Sequence, residues 1–570
     1  MTALQWFNTF LSKYKLKMLI GMILVTILSV AAFIAPKITG VIVDEVIKGE
    51  NKSLLTKLII ILLVTVIIRG ICRFMSQVLF EQSSQGVLYN MRDTVYRKLL
   101  QEDFAFYNKN RTGDLMSRQT GDMDAIRHFV AYVIYAVYEN VLYFVFALVM
   151  IFITDYRLAF AMFLVLPISA INTWQQMKNV KPAFGRWREA FSRLNTFVQE
   201  NISGNRVVKA FAKEEFERQK FDEVNDYYRD AELNASKIWR KYVPRFEVLS
   251  NVLTIVLMLV GGYMVIKGNM TIGNLVTING YLWMLNMPLR MAGWWINDIQ
   301  RFTASLDKIY ATYTADPDIN NLKHPIEKDK IRGEVEFKKV SYTADDEDIL
   351  KNIDFHIEAG KTVGILGKTG AGKSTFINLI CRFFDANEGE VLIDGVNVKE
   401  LDMYKLRDNI GLAMQDVFLF SDSIKNNISY GCPGASLEEV KQAAIMADAN
   451  HFINEMPEGY DTLIGERGVG LSGGQKQRIS LARALIKDPA ILILDDTTSA
   501  VDMETESYIQ SQLAKVKGKC TTFIIAYRIS SIMDADKIIV LDEGKIVEEG
   551  THDELVKAGG YYASVYKHQK

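Results

Sequence analysis

Apolar residues are concentrated in six long stretches in the first half of the chain, and polar segments separate them. These stretches are residues 18–36, 56–80, 129–154, 158–177, 246–267 and 270–298. A helix of about 20 mainly apolar residues is long enough to cross a bilayer. The alternative is a set of buried core helices, but the second half of the chain contains no comparable stretch. The pattern therefore predicts six transmembrane helices.

The polar connections between these stretches alternate between short and long. Residues 81–128 and 178–245 are the long ones, and their composition favours helices that extend beyond the bilayer by about 1.5 Å per residue. With six spans, both termini and both long connections lie on the same side of the membrane. Lysine and arginine are nearly equally dense on the two sides, so the positive-inside rule does not decide the orientation.

The first residues form a separate amphipathic segment. Trp6, Phe7 and Phe10 precede a run that contains three lysines. A signal peptide is the alternative, but no small-residue cleavage site follows, and further apolar stretches do. We expect an interfacial helix over about residues 5–17, lying on the inner face of the membrane.

Composition narrows the class of protein only slightly. The 570 residues carry a formal net charge of −1, which argues against a chain-wide basic surface and against nucleic acid as a partner. Four cysteines occur, and their spacing is typical of neither a zinc site nor a disulfide framework. Hydrophobic residues make up 49% of the chain, but this average combines an apolar half with a half of ordinary composition.

The second half begins with a change of pattern. Residues 316–332 are charged and loop-like, and we interpret them as a linker between a membrane domain, residues 1–315, and a second domain, residues 333–570. From Val335 onward, apolar strands alternate with turns and helical segments. This alternation predicts an α/β domain.

A phosphate-binding motif lies early in this domain. The residues of the motif are Gly367, Lys368, Thr369, Gly370, Ala371, Gly372, Lys373, Ser374 and Thr375. The motif follows an apolar strand and opens a helix, which is the context that a phosphate-binding loop requires. Its backbone N–H groups and helix N-terminus would cradle phosphates. Lys373 would reach the β- and γ-phosphates, and the Ser374 hydroxyl would bind Mg²⁺.

A buried strand further along ends in a carboxylate. Residues 491–495 read ILILD, a continuous apolar run typical of a parallel strand that is covered on both faces. Asp495 at its end suits a Walker B role, in which the carboxylate holds Mg²⁺ through water. ATP with Mg²⁺ is therefore the expected ligand. Because ATP is cytosolic, this domain, both termini and both long connections are placed in the cytoplasm.

Residues 471–475 read LSGGQ, and a strong helical pattern follows them. This segment resembles the signature motif of ATP-binding cassette (ABC) transporters. The DNA-repair ATPases that share the motif have no membrane spans. The resemblance implies a half-transporter of the type IV exporter fold: six transmembrane helices with long cytoplasmic extensions, followed by an α/β P-loop cassette domain. In that family two cassettes pair head to tail, so Leu471, Ser472, Gly473, Gly474 and Gln475 would cover ATP held by the partner.

The resemblance extends to further positions along the chain. Tyr342 resembles the aromatic residue that stacks on adenine, and Gln415 resembles the Q-loop glutamine that contacts Mg²⁺. Asp502, in the sequence SAVD, resembles the D-loop at the dimer interface. Residues 462–468 are similar to the X-loop of exporters, and residues 106–117 and 200–211 are similar to segments at the coupling helices.

Two positions depart from the family pattern. The usual glutamate after the Walker B aspartate, which acts as general base, is Asp496 here. The usual histidine of the switch loop is Tyr527. A base must lie within hydrogen-bond reach of its proton, and a shift of about 1 Å can cost on the order of 100-fold in rate. Tyrosine is larger than histidine and is uncharged near neutral pH. Laboratory trap substitutions are usually Glu→Gln or His→Ala, so a natural origin is favoured.

This combination resembles the degenerate-site subunit of bacterial heterodimeric multidrug exporters. Its own ATP site would be catalytically weak, while its signature would complete a working site on a second half-transporter subunit. The resemblance implies a multi-pass protein of the inner (plasma) membrane that exports hydrophobic or amphipathic compounds. Lipid, peptide or haem export remains open, as does a non-transporting regulatory role.

Substrate candidates come from the last span and from one intramembrane acid. In the last span they are Trp283, Met284, Met287, Arg290, Met291, Trp294 and Trp295. Aromatic and methionine side chains offer adaptable apolar contacts, although they also serve ordinary helix packing. Glu139 is a functional candidate because carboxylates are rare within membranes. It would either contact a cationic compound or pair with Arg69 or another helix.

Overall fold

A computed structural model describes residues 1–344, 347–497, 503–515 and 517–569, without the side chains of residues 177, 181 and 503. The chain forms two compact units. The first comprises Met1–Gln101 and Asn110–Ala315, and the second comprises Glu102–Lys109 and Asp316–Lys570. The units differ from the domain ranges expected from the sequence in one segment, Glu102–Lys109, which is grouped with the second unit.

The described part of the first unit is helical. Its α-helices are α1 (Ala3–Leu11), α2 (Lys15–Ala31), α3 (Ile34–Val41), α4 (Lys52–Gln101), α6 (Thr112–Ser117), α7 (Met123–His128), α8 (Ile134–Thr154), α9 (Tyr156–Phe163), α10 (Val165–Ser203), α11 (Asn205–Ala210), α12 (Glu214–Val256), α13 (Gly262–Ile266) and α14 (Ile272–Tyr313). Helix α5 (Phe104–Lys109) belongs to the second unit. The 3₁₀ turn Ser12–Tyr14 and the π-helical turns Ile42–Lys48, Arg118–Asp122, Phe129–Val133 and Leu257–Gly261 join consecutive helices.

Among the residues that the structure describes, five helical stretches are long and apolar enough to cross a membrane. They are Ala3–Lys48, Lys52–Gln101, Thr112–Thr154, Tyr156–Ser203 and Glu214–Ile266. These stretches contain the first five predicted spans. The sixth predicted span lies on the continuous helix α14, which is less apolar because asparagine and threonine interrupt its sequence.

The break between α9 and α10 falls at Leu164, just before Pro167, because proline disfavours helix continuation.

The aromatic face of the N-terminal helix packs on protein. α1 is amphipathic as predicted, but its aromatic side chains are buried against protein. The Phe7 ring lies 5.1 Å from Phe302, and the Trp6 ring stacks on Tyr313 at 4.9 Å. These rings therefore pack on α14, and the position of α1 at the membrane surface stays a prediction.

A close backbone approach joins α3 to α14 in the first unit. A Cβ atom on Gly40 would lie 2.0 Å from the Thr277 hydroxyl and 2.3 Å from the Gly273 carbonyl oxygen. The Gly273 N–H also donates to the Asp44 carboxylate at 2.8 Å. Small residues permit such close packing of membrane helices. This contact therefore fixes where the first and last predicted spans meet.

The second unit is built on two sheets. Its strands are β1 (Val335–Ala344), β2 (Glu347–Ile357), β3 (Thr362–Gly367), β4 (Glu388–Ile393), β5 (Val396–Asn397), β6 (Ile410–Ala413), β7 (Ile491–Asp495), β8 (Thr521–Ile525), β9 (Lys537–Asp542) and β10 (Lys545–Gly550). One sheet has the antiparallel order β2-β1-β4-β5. The other has the order β10-β9-β3-β8-β7-β6, in which all pairs except β10 with β9 are parallel.

Helices and short turns surround these sheets. They are α15 (Lys373–Ile380), α16 (Met403–Asp408), α17 (Ile424–Ser429), α18 (Leu437–Met446), α19 (Asn450–Asn454), α20 (Gly473–Leu485), α21 (Met503–Ala514), α22 (His552–Ala558) and α23 (Tyr561–Gln569), with 3₁₀ turns Gly459–Asp461, Glu466–Gly468 and Ile529–Ser531. The strands β7 and β8 are buried along their whole length. Since the carboxyl ends of parallel strands meet at one edge, the loops after β3, β8, β7 and β6 lie side by side.

Helix α5 is packed within the second unit through aromatic side chains. The Phe104 ring lies 4.7 Å from Phe383 and 6.3 Å from Phe384. The Asp103 carboxylate also accepts the Asp318 N–H at 2.6 Å. Asp103 and Phe104, just before the segment 106–117 that resembles a coupling-helix segment, are therefore held by contacts within the second unit.

The glycine contact between α3 and α14 generates a stability prediction. Gly40→Ala places a methyl group against Thr277 and a backbone carbonyl, so we expect a destabilisation of about 1–3 kcal/mol from overpacking. Thermal unfolding of the purified protein in nanodiscs measures it. Gly70→Ala is the matched control, because nothing lies within 4 Å of the added Cβ. Equal unfolding temperatures for the two variants would contradict the close contact.

Candidate functional site

The phosphate-binding loop lies between β3 and α15. Gly370 and Gly372 adopt φ of +83° and +95°, a backbone conformation that favours glycine. A Cβ on Gly372 would lie 2.7 Å from the Leu350 side chain. Gly372 also precedes the first turn of α15, so its conformation turns the chain into that helix. The backbone path of the loop thus requires glycine at these positions. Because glycine has no side chain, it does not cover the neighbouring N–H groups of the loop.

Lys373 is buried at the start of α15. Its ammonium group donates to the carbonyl oxygens of Gly367 and Lys368, both at 2.8 Å. It also lies 4.8 Å from the centre of the Tyr527 ring, within the range of a cation–π contact. Burial lowers the pKa of Lys373 from its ordinary value, and the negative charges of Asp495 and Asp496 oppose that shift. An anionic phosphate beside this ammonium group would stabilise its charged form, which burial disfavours.

Ser374 and Asp495 form the candidate Mg²⁺ site. The Ser374 hydroxyl donates to the Asp495 carboxylate at 3.3 Å. Burial raises the pKa of Asp495 above its ordinary value, and the Ser374 hydrogen bond and the Lys373 charge oppose that shift. A hydroxyl and a carboxylate are oxygen ligands of the type that Mg²⁺ prefers. These two residues, with the backbone of the loop and Lys373, therefore fit a nucleotide with its Mg²⁺.

Asp496 follows β7 directly and has an unusual backbone. Its φ is +48°, in the left-handed region that non-glycine residues seldom adopt. Its N–H donates to the Ile525 carbonyl at 2.9 Å, which ties the end of β7 to β8. Its side chain is largely buried. The backbone at the general-base position is therefore held by the sheet, so the shorter side chain cannot be offset by a freely moving loop.

The switch segment around Tyr527 is held from two sides. The Gln569 amide donates to the Tyr527 carbonyl at 2.7 Å, and its oxygen accepts the Ile529 N–H at 2.8 Å. Arg528 pairs with the buried Glu506 at 3.2 Å, and Ser531 donates to the same carboxylate. Neither Gln569 nor Glu506 could be found from a local sequence pattern, because both contacts join segments that are distant along the chain.

The other predicted nucleotide contacts lie on separate segments. Gln415 is exposed just after β6, at the edge of the sheet that also carries Asp495. Tyr342 is half-buried on β1, and its ring lies 5.4 Å from Phe384. Direct contacts thus join Ser374 to Asp495 and Lys373 to Tyr527, and Lys373 interacts electrostatically with Asp495. The D-loop prediction, Asp502, lies outside the described residues.

The signature segment forms the start of α20. Ser472 is the N-cap: its hydroxyl accepts the Gln475 N–H at 3.3 Å, and its own N–H donates to the Gln475 side chain at 2.9 Å. Ser472 and Gly473 are exposed, and Leu471, Gly474 and Gln475 are half-buried. Lys476 donates to the Arg467 carbonyl at 2.9 Å, which links the helix to the segment that resembles the X-loop. An exposed helix N-terminus of this kind can accept an anion from another chain.

The substrate candidates of the last span divide into two groups. Trp283, Met287, Arg290 and Trp294 are exposed and recur at helical spacing, so they share one face of α14. Met284 and Trp295 are buried, and Met291 is half-buried. This exposed face is a candidate wall of a transport pathway, whereas the buried pair serves packing.

The Glu139 carboxylate already accepts hydrogen bonds within the protein, whereas contact with a cationic compound would require it to be free. Arg73 donates to both of its carboxylate oxygens, at 2.6 and 2.8 Å, and Tyr143 donates to one of them at 2.7 Å. The pairing alternative is therefore correct, but the partner is Arg73 and not Arg69. Both arginines lie on one face of α4, one turn apart, and the sequence alone could not choose between them.

Comparison with known proteins gives the same organisation. The family pattern described as the ABC transporter transmembrane region matches residues 18–289, and that described as ABC transporter matches residues 350–499. YknU, an ABC transporter ATP-binding protein of Bacillus subtilis (strain 168), is 39% identical over 96% of this chain and 94% of its own length. The ATP-dependent lipid A-core flippase of Syntrophus aciditrophicus (strain SB) is 34% identical over 92% of this chain and 88% of its own length.

A solved structure resembles the chain over nearly its whole length. The structure of a bacterial Atm1-family ABC exporter with ATP bound matches with a TM-score of 0.83 at 28% sequence identity, covering 97% of this chain and 98% of that chain. The expected order of a transmembrane region followed by an α/β nucleotide-binding domain is confirmed. The chain belongs to the ABC transporter family and is a half-transporter with the type IV exporter fold.

Proposed function

We propose that this chain is the degenerate-site subunit of a heterodimeric ABC exporter that moves hydrophobic or amphipathic compounds out of the cell. The observation that carries the proposal is the asymmetry between its two ATP-binding elements. The phosphate site holds Asp496 and Tyr527 in place of the usual base and histidine, while the signature segment is complete and exposed. The chain would lie in the plasma membrane with both termini and the cassette in the cytoplasm.

The phosphate site is built to bind ATP. The loop backbone and the start of α15 would hold the phosphates, and Lys373 would turn from the Gly367 and Lys368 carbonyls to the β- and γ-phosphates. Ser374, Gln415 and Asp495 would hold Mg²⁺, the last through water. When bound, Mg²⁺ neutralises charge that develops on the transferred phosphoryl group. Tyr342 would stack on adenine.

Asp496 makes this site a weak hydrolase. A general base must reach the proton of the attacking water, and aspartate is one methylene shorter than the usual glutamate. The Asp496 N–H is bonded to Ile525 on the neighbouring strand, so the backbone does not move forward to restore the reach. The site would bind ATP and polarise water poorly.

Tyr527 adds a second defect at the same site. Its ring faces the Lys373 ammonium group at 4.8 Å, and Gln569 holds its backbone carbonyl. A histidine there would offer a ring N–H to the γ-phosphate, whereas the tyrosine presents an aromatic face to a lysine. The γ-phosphate would then lack the histidine N–H during cleavage, and the hydroxyl of the larger tyrosine would replace it poorly or differently.

The intact signature indicates a partner. Ser472 and the first N–H groups of α20 point out of the cassette and would close over ATP on a second half-transporter. The segment that resembles the second coupling helix is also uncovered in the single chain. Ile202, Val207 and Phe211 expose 73%, 60% and 71% of their surface around α11. Such an exposed apolar cluster is typical of an interaction site, and a partner subunit would cover it.

The transported compounds would be hydrophobic or amphipathic. The exposed face of α14 combines Trp283, Met287 and Trp294 with Arg290, which suits adaptable apolar contacts with one charge. Lipid movement is a second candidate, because one relative is named a lipid A-core flippase and YgaD of Bacillus subtilis (strain 168), 33% identical, is named a multidrug export protein. ATP-dependent dye or lipid movement in liposomes separates export from a purely regulatory role.

The degenerate site generates a prediction about ATP turnover. The purified chain, as a homodimer in nanodiscs, should hydrolyse ATP slowly, because both altered residues lie in each of its sites. Asp496→Glu with Tyr527→His restores the reach of the base and the ring N–H, so turnover should rise by on the order of 100-fold. Phosphate release measures it.

The matched control for this prediction is Asp534→Glu with Tyr404→His, which makes the same chemical changes at exposed positions away from the phosphate loop. The control should leave turnover unchanged. Fast hydrolysis by the unmodified chain alone, or an equal effect of both double variants, would contradict the roles given to Asp496 and Tyr527.

The uncovered apolar cluster generates a prediction about assembly. Phe211→Ser removes an exposed apolar side chain, so the isolated chain should keep its thermal stability while ATP-driven transport by the assembled exporter falls severalfold. Leu233→Ser, at another exposed position of the same unit, is the control. Transport and unfolding temperature are measured on the same preparations. A loss of stability without a loss of transport would show that Phe211 serves the fold of the single chain.

A further inference from the structure

More cationic than acidic side chains lie in the middle of the predicted spans. Away from the ends of the spans, Arg69 and Arg73 on α4 and Arg290 on α14 are cationic, and Glu139 on α8 is acidic. Arg73 and Tyr143 occupy the Glu139 carboxylate. Charged side chains within a membrane are costly, so those that persist mark sites of ions or substrates.

Arg69 is the arginine of α4 that does not donate to the Glu139 carboxylate. It lies one helical turn before Arg73, on the same face of α4, where two like charges disfavour each other. Across the described part of the chain, nothing accepts a hydrogen bond from its buried Nε. Arg69 therefore lies beside the Arg73–Glu139–Tyr143 network without sharing its carboxylate.

An aromatic wall adjoins this network. The Tyr143 ring lies 5.5 Å from Trp283, in an edge-to-face arrangement. Trp283 is 48% exposed and belongs to the same open face of α14 as Met287 and Arg290. A ligand on this face would thus meet apolar and aromatic surface that adjoins the network, and one helical turn of α4 separates Arg73 of that network from a guanidinium whose Nε has no acceptor among the described residues. Arginine matches carboxylate and phosphate geometry, with two parallel N–H donors.

We propose that Arg69, beside the Arg73–Glu139–Tyr143 network and the Trp283 ring, binds the anionic head group of an amphipathic substrate. The head group is a carboxylate or a phosphate, and the apolar tail lies along the Trp283–Met287 face. This rests on the proposed export function and gives it a substrate class. It differs from the expectation that Glu139 selects cations, because the Glu139 carboxylate already has two donors.

Binding without ATP tests this assignment. The probe is 11-(dansylamino)undecanoate, compared with its neutral primary amide and with a dansyl-labelled alkylamine of equal length. The purified full chain is held in phosphatidylcholine nanodiscs, and energy transfer from tryptophan to dansyl reports binding, with empty nanodiscs as background. The carboxylate should bind more tightly than the amide, and the amine least tightly.

Arg69→Gln should weaken carboxylate binding about tenfold or more and leave amide binding unchanged, as expected for the loss of one charge-assisted contact. Arg97→Gln, an exposed position on the same helix α4, is the control and should change neither. An unchanged ratio of carboxylate to amide affinity in Arg69→Gln would overturn the proposal. ATP-driven transport, measured separately, would still test the export function.

Glu139→Gln supplies a second arm that does not depend on Arg69. Removing the carboxylate frees Arg73, so affinity for the carboxylate probe should rise severalfold while affinity for the amine does not fall. A fall in amine affinity would make Glu139 a cation site and contradict the proposal.

Adding phosphatidylglycerol to the nanodiscs distinguishes the two sources of an anionic head group. Competition identifies a bilayer lipid as the occupant, and its absence identifies a compound from outside the bilayer; either result supports an anionic head group.

Discussion

The arrangement of the ATP site depends on the parallel pairing of four buried strands. Because β3, β8, β7 and β6 run in the same direction and lie next to one another, the loops that follow them meet at one edge. The phosphate loop, Tyr527, Asp495 with Asp496, and Gln415 come from these four loops. Residues that are far apart in the sequence are thus brought within reach of one nucleotide.

The same pairing limits what a substitution at this edge can do. Asp496 is held by a backbone hydrogen bond from β7 to β8, and Tyr527 is held between the Lys373 ammonium group and the Gln569 amide. Neither side chain is on a loose loop that could compensate for a lost methylene or a lost ring N–H. On the proposed function, this placement would favour catalysis with Glu and His at the two positions and would impair it with Asp and Tyr.

Much of the fold could be predicted from the sequence, since apolar stretches of membrane length and the GKTGAGKST, ILILD and LSGGQ segments each carry a local physical reason for their structure. The contacts that depend on tertiary packing could not be predicted from the sequence. The pattern placed Arg69 and Arg73 on one helix face but did not show which would reach Glu139. It indicated that the aromatic face of α1 needed an apolar partner, and lipid and α14 satisfy that need equally well. Gln569 carried no local signal at all.

On the proposed function, the subunit holds its own ATP more than it hydrolyses it, and its signature serves another chain. The nucleotide that remains on the exporter after one round of hydrolysis tests this most directly. The purified dimer of this chain with its partner is loaded with radiolabelled ATP, freed of excess nucleotide after one turnover, and analysed for bound ATP and ADP. The account predicts one intact ATP per dimer, retained at the phosphate loop that contains Lys373 and lost on Lys373→Ala. Complete conversion to ADP at both sites would contradict it.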